Sequence, residues 1–199
     1  MIYFKKLRWR NFLSTGNQFI EVDMAKSQST LIIGKNGSGK STFLDALCYV
    51  LFNKPFRNIK KEQIVNTINQ QDCEIQVEFE TSNKKYKVIR GIKPNMFEIW
   101  CNGVMLNQDA NSLDYQNILE NNILKCNFRA FKQVVILGSS TYLPFMHLRA
   151  KHRREVVEEI LDIRVFTYMD LLLRAKQGEL AKSVVDVRHR FDLMTEKYE

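Results

Sequence analysis

The sequence predicts an α/β fold built on a strand–loop–helix unit, with an added antiparallel β lobe and a helical arm. Three observations carry this. A glycine-rich loop, Gly34-Lys35-Asn36-Gly37-Ser38-Gly39-Lys40-Ser41, follows a short apolar run and precedes an amphipathic segment. Period-two alternation recurs through the middle third of the chain. From Arg149 onward there is no proline and a single glycine, Gly178, which suits a long helix or a helix pair.

In chain order, residues 2–10 alternate loosely and hold Tyr, Phe and Trp, the pattern of a first strand. Residues 11–18 are rich in Asn, Ser, Thr and Gly and predict a turn, with 19–23 as its hairpin partner. The run 29–33 (STLII) reads as a buried central strand ending at Gly34. Residues 41–52 predict a helix with Phe43, Leu44, Leu47, Val50 and Leu51 on one face. Residues 73–80, 86–90 and 96–101 predict an antiparallel sheet whose outer face carries Glu74, Gln76, Glu78 and Glu80. A helical stretch over 113–131 leads into 133–137 (QVVIL), a second predicted buried strand closed by Gly138-Ser139-Ser140.

The C-terminal stretch shows Leu180, Val184, Val187, Phe191, Met194 and Tyr198 at alternating spacings of three and four. This is a heptad seam, the beginning of a coiled coil; a single amphipathic helix packed on its own domain is the simpler alternative. The expected organisation is a lobe over 1–170 and a helical arm over 171–199, in a piece that ends early in a coiled coil.

Composition narrows the classes. Of 199 residues, 45% are apolar and 26% charged, an ordinary soluble balance. No apolar run nears the ~20 residues of a membrane span, and no signal peptide is legible, so a cytoplasmic location is expected. Four widely spaced cysteines without a C-x-x-C predict free thiols rather than a metal site. A net charge of +8 is compatible with a nucleic-acid partner without requiring one.

The glycine loop satisfies G-x-x-x-x-G-K-[ST] in full and so predicts the P-loop NTPase fold. The chemistry needs these residue types. Glycines let the backbone take positive φ and approach phosphate closely, so that Gly34, Asn36, Gly37, Ser38 and Gly39 form an anion-binding nest at a helix N-terminus. Lys40 supplies charge for the β- and γ-phosphates. Ser41 places a hydroxyl on Mg²⁺, and Thr42 is placed to donate to the α-phosphate. ATP and Mg²⁺ are the expected ligands.

The block GKNGSGKSTFLDAL (34–47) resembles the SMC-like ATPases, the class containing SbcC and RecF. The opening KLRWRNFLS (6–14) is similar to that family's first strand and its Asn-Phe-Arg-Ser turn. Two later segments, 52–61 and 131–146, point to the family's phage branch, the ATPase subunits of recombination exonucleases. The resemblance implies an ABC/SMC-type head whose N-terminal lobe this chain supplies. A coiled coil would return to a C-terminal lobe with Walker B and the signature motif. It further implies a second ATPase head as homodimer partner, a separate nuclease subunit of SbcD type, and DNA. These 199 residues contain no apolar run ending in Asp-Glu and no Leu-Ser-Gly-Gly. No catalytic residue is therefore expected here, and binding without efficient hydrolysis is the expectation for this stretch alone.

Two positions depart from the family pattern. Leu13 stands where the turn arginine belongs, so its phosphate contact is lost or passes to Arg8 or Arg10; Asn11 of the same turn is a further candidate. The glutamine that reaches magnesium would fall at 138–140, where Ser139 or Ser140 stands. Arg57, Lys60 and Lys61 follow the P-loop helix, either near the nucleotide or as a solvated basic face. Arg149, Lys151, His152, Arg153 and Arg154 form a basic cluster at a helix start, suited to DNA phosphate or to local pairing of Arg154 with Glu158. Val156, Val157, Ile160, Leu161, Val165, Phe166 and Met169 form an apolar stripe, mostly core, part of it a candidate nuclease dock. A self-contained P-loop kinase or NTPase, and a DNA-binding scaffold with a vestigial loop, remain as rival readings.

Overall fold

The computed structural model describes residues 2–106, 112–137, 144–161 and 163–198. Strands β1 (Ile2–Arg10), β2 (Ile20–Asp23), β3 (Cys73–Thr81), β4 (Lys84–Ile92), β5 (Met96–Cys101) and β6 (Val104–Met105) form one sheet in the order β2-β1-β3-β4-β5-β6. Every pairing is antiparallel. Short turns set the register. Ser82 and Asn83 take positive φ between β3 and β4, and Asn102 (φ 50°) with Gly103 (φ 83°) closes β5 to β6 in the geometry of a type I′ turn.

The alternation sorts the two faces of this sheet. Leu7 and Trp9 lie opposite Val77 and Ile75, and these with Phe79, Val88 and Ile99 are buried. The other face pairs Lys6 with Glu78, Arg8 with Gln76 and Arg10 with Glu74 across β1 and β3. Opposite charges at Lys6–Glu78 and Arg10–Glu74 make that face a polar ladder, with Gln76 buried within it. Helix α1 (Thr42–Phe52) packs on the apolar face, where the Trp9 ring meets Phe43 and the Phe12 ring meets Tyr49. Helix α2 (Ser112–Asn117) runs into a π-helical segment (Ile118–Leu124), and α3 (Phe128–Val134) follows. Phe131 of α3 sits between Phe4 and Phe52, tying the first strand to the end of α1.

Two predicted strands take other forms. Residues 29–33 have no regular structure, and Leu31 and Ile33 are 82% and 83% exposed. A central strand exists only by pairing, and among the described residues nothing pairs with this run. Residues 133–137 are not a strand either. Asn127 caps α3 by accepting from the Ala130 N–H at 2.9 Å, and the helix thus begun carries through Val134. The helical stretch expected over 113–131 is broken at Lys125, whose φ of 50° ends the π-helical segment.

The chain divides into two compact units, Met1–Arg149 and Ala150–Glu199. The second holds α4 (Ala150–Ile160) and α5 (Arg164–Tyr198), a helix pair. On α5 the seam positions Leu180, Val184, Val187, Phe191 and Met194 are all exposed. Among the described residues no helix is long and apolar enough to cross a membrane.

Candidate functional site

The loop 34–41 opens onto the N-terminus of α1. Gly37 (φ 85°) and Gly39 (φ 89°) occupy the left-handed region that L side chains rarely adopt. A Cβ at Gly37 would meet nothing within 4 Å, so its conformation, rather than crowding within the chain, calls for glycine. At Gly34 the constraint is space, since a Cβ would stand 2.5 Å from the Ser38 Oγ. Tight turns join the loop to the helix, with Ser38 N–H donating to Lys35 O at 3.2 Å and Thr42 N–H to Gly39 O at 3.0 Å.

Lys40 closes the loop on itself. Its Nζ donates to the carbonyl oxygens of Gly34 at 2.6 Å and Lys35 at 2.7 Å, which holds an ammonium over the turn. Ser41 stands at the N-cap of α1 without using its hydroxyl to cap the helix, and it is exposed. Thr42 is buried. A left-handed glycine nest, a lysine charge, an uncommitted serine hydroxyl and a helix N-terminus together suit a polyphosphate with its divalent cation. The residues present fit Mg-ATP.

Asp45, in the first turn of α1, was not singled out by the sequence reading. It has no exposed surface, yet it is a carboxylate close to the end of the helix that would receive an anion. Arg57 resolves this conflict: its backbone N–H donates to Asp45 Oδ1 at 2.9 Å and its Nε to Oδ2 at 2.7 Å. The guanidinium expected near the nucleotide is thus engaged with Asp45, and the loop after α1 is fastened to the helix. Only the invariant demand that a buried charge be paired could have flagged this from sequence.

Three other expectations move. Arg8 donates from Nε to Gln76 at 2.8 Å and lies over the Phe19 ring, as does Arg10, which pairs with Glu74 at 2.9 Å. Strand alternation puts both on the face opposite Trp9, while Trp9 is the residue that meets α1. Both guanidiniums are thus engaged on the sheet face opposite the one that carries α1. Asn11 is 1% exposed, and its side chain serves the turn: its amide donates to Asn17 and to Asp72 O, and its oxygen accepts from Asn69. Ser139 lies outside the described residues. The cysteines are free, Cys48 and Cys73 buried and Cys101 and Cys126 half-buried. No cluster of metal-ligating side chains occurs among the described residues.

The family model described as "AAA domain" matches residues 6–184. The chain belongs to that family. Its SMC-like character is borne out by relatives and by fold. It is 42% identical over 175 residues to "Exonuclease subunit 2" of Escherichia phage RB69 and 41% identical over 170 residues to that of Enterobacteria phage T4. These matches cover 88% and 85% of the chain but 31% and 30% of those proteins. A "DNA double-strand break repair Rad50 ATPase" of Thermoplasma volcanium is 26% identical over 92% of this chain and 20% of its own length. The chain thus spans less than a third of the length of these curated relatives. In fold it is similar to an Smc head domain with an extended coiled coil from Pyrococcus furiosus, with a TM-score of 0.57 at 20% identity over 94% of this chain and 49% of that one. The α/β SMC-head class expected from the P-loop block therefore stands.

Proposed function

We propose that this chain is the P-loop part of an ATP-driven head in a DNA recombination and repair exonuclease complex. The observation that carries this reading is the loop 34–41, with Gly37 and Gly39 left-handed and Lys40 folded over the turn. The backbone N–H groups of Gly37, Gly39 and Lys40 would hold the phosphates, with the Lys40 ammonium neutralising them and Thr42 adding a donor. Bound Mg²⁺ supplies charge that phosphoryl transfer needs, and Ser41 would hold it. The relatives' names, an exonuclease subunit and a DNA double-strand break repair ATPase, support a partner nuclease subunit and DNA as substrate, and nucleotide-driven pairing with a second head completes the proposal. The exposed apolar residues Val165, Phe166 and Met169 at the start of α5 are the surface offered to the nuclease.

The test is thermal stability with and without Mg-ATP, beside Lys40→Ala. At a ligand concentration of 100 Kd the wild type gains about 2.7 kcal/mol, a rise of several degrees in Tm. The gain disappears in Lys40→Ala. A wild type that gains nothing, or a Lys40→Ala variant that gains as much, overturns the reading.

A further inference from the structure

Helix α1 ends in a polar clasp, at the end opposite the phosphates. The helix has no basic residue in its own last turn; its C-cap Asn53 takes one terminal carbonyl, and two more find partners on other elements. Tyr49 O accepts from Asn53 N–H at 2.8 Å, Val50 O from Arg90 Nε at 3.2 Å, and Leu51 O from Gln116 Nε2 at 2.9 Å. Arg90 belongs to β4 and Gln116 to α2, and the two are joined, Arg90 Nη2 donating to Gln116 Oε1 at 2.7 Å. Gln116 Nε2 also donates to Glu120 Oε1 in the π-helical segment at 2.6 Å. The buried guanidinium stacks on the ring of Phe97, 3.9 Å from its centroid.

A buried guanidinium is costly to desolvate, and an apolar side chain would fill the space at lower cost. What the arginine adds is direction. Apolar packing of α1 on the sheet is non-directional and tolerates small slides along the helix axis and small turns about it. Two hydrogen bonds to consecutive carbonyls, from two different elements, fix both. The helix has 11 residues and spans about 16 Å, short and rigid enough that fixing one end fixes the other. A π-helical stretch is a rare feature, and here it supplies the carboxylate that completes the chain of contacts.

We propose that Arg90 and Gln116 are positioning residues for the phosphate cradle, setting the axial position and rotation of α1 from its C-terminal end. This rests on reading the cradle as an Mg-ATP site. The experiment is isothermal titration of Mg-ATP into the 199-residue chain at 10 °C, with Tm and circular dichroism measured in parallel. The variants are Arg90→Met, Arg90→Lys, Gln116→Leu and, as control, Lys40→Ala. Arg90→Met and Gln116→Leu are expected to weaken Kd about tenfold, with Arg90→Lys between them and wild type. A purely structural role would lower Tm and leave Kd unchanged at a temperature where the variants are folded; that result overturns the proposal alone. A wild type that binds no better than Lys40→Ala overturns the cradle reading and this proposal together. Should Arg90→Met fail to fold, Gln116→Leu and Arg90→Lys decide.

Discussion

Arg57 grips Asp45 twice, through its main-chain N–H and through its guanidinium, while Asp45 itself has no contact with solvent. Removing the arginine leaves a carboxylate buried without its cation beside the helix end that faces phosphate. Because the Arg57 side chain is 43% exposed, the penalty is discounted from that of a fully buried pair. Arg57→Ala is expected to cost about 2 kcal/mol in urea unfolding. Asp45→Asn in the Arg57→Ala background should recover part of it, since the stranded charge is gone. Additive single and double mutants would show that the pair is not coupled.

The glycines of the loop should fail for different reasons. Gly37→Ala and Gly39→Ala force an L side chain into the left-handed region and should each cost about 1–2 kcal/mol, seen as a lower Tm and weaker Mg-ATP binding. Gly34→Ala meets the Ser38 hydroxyl instead. It should therefore be partly rescued by Ser38→Ala, whereas Gly37→Ala should not. Equal rescue of both would mean that space, and not φ, governs the loop.

The parts of the fold that were legible in the sequence are those fixed by local rules. β1 to β5 follow from alternation, and the Asn102-Gly103 turn from its need for positive φ. The cradle was legible because its glycines and lysine are tied to fixed spacing. The runs 29–33 and 133–137 were misread because a buried strand is defined by its neighbours, which composition cannot show. Arg8, Arg10 and Asn11 were assigned from the pattern of a turn. Their actual places depend on which face of the sheet carries α1, a tertiary fact. The Arg90–Gln116 clasp joins residues 26 apart to a helix 40 residues upstream of Arg90, and no local signal marks it.

Hydrolysis should separate from binding. On the proposed reading Lys40 serves the phosphates and Ser41 the magnesium, but the sequence holds no apolar run ending in Asp-Glu to orient water or complete a magnesium shell. The 199-residue chain is expected to bind Mg-ATP and to turn it over at least about a hundredfold more slowly than the same chain supplied with a Walker B-bearing lobe. Release of phosphate, followed with and without that lobe, checks this. Equal rates would place a catalytic carboxylate within the present chain and return the self-contained NTPase to favour.

Alkaline pH should weaken the fold through its thiols. Burial pushes Cys48 and Cys73 from 9.0 up to about 12, and it also raises Tyr49. Between pH 9 and 12 the folded chain therefore holds protons that the unfolded chain has lost, and stability falls as pH rises, by about 1.4 kcal/mol per pH unit for each proton retained. Above pH 10 the raised Tyr49 adds to the loss, and Arg90, which burial lowers, opposes part of it. Urea midpoints at pH 8, 9, 10 and 10.5 should therefore fall steadily. The slope between 9 and 10 should flatten in Cys48→Ala/Cys73→Ala, whatever that variant costs in absolute stability. At pH 8 a thiol reagent should label Cys101 and Cys126 in the native chain and reach Cys48 and Cys73 only on unfolding. Rapid labelling of all four in the native state would mean that α1 and β3 open readily from the core.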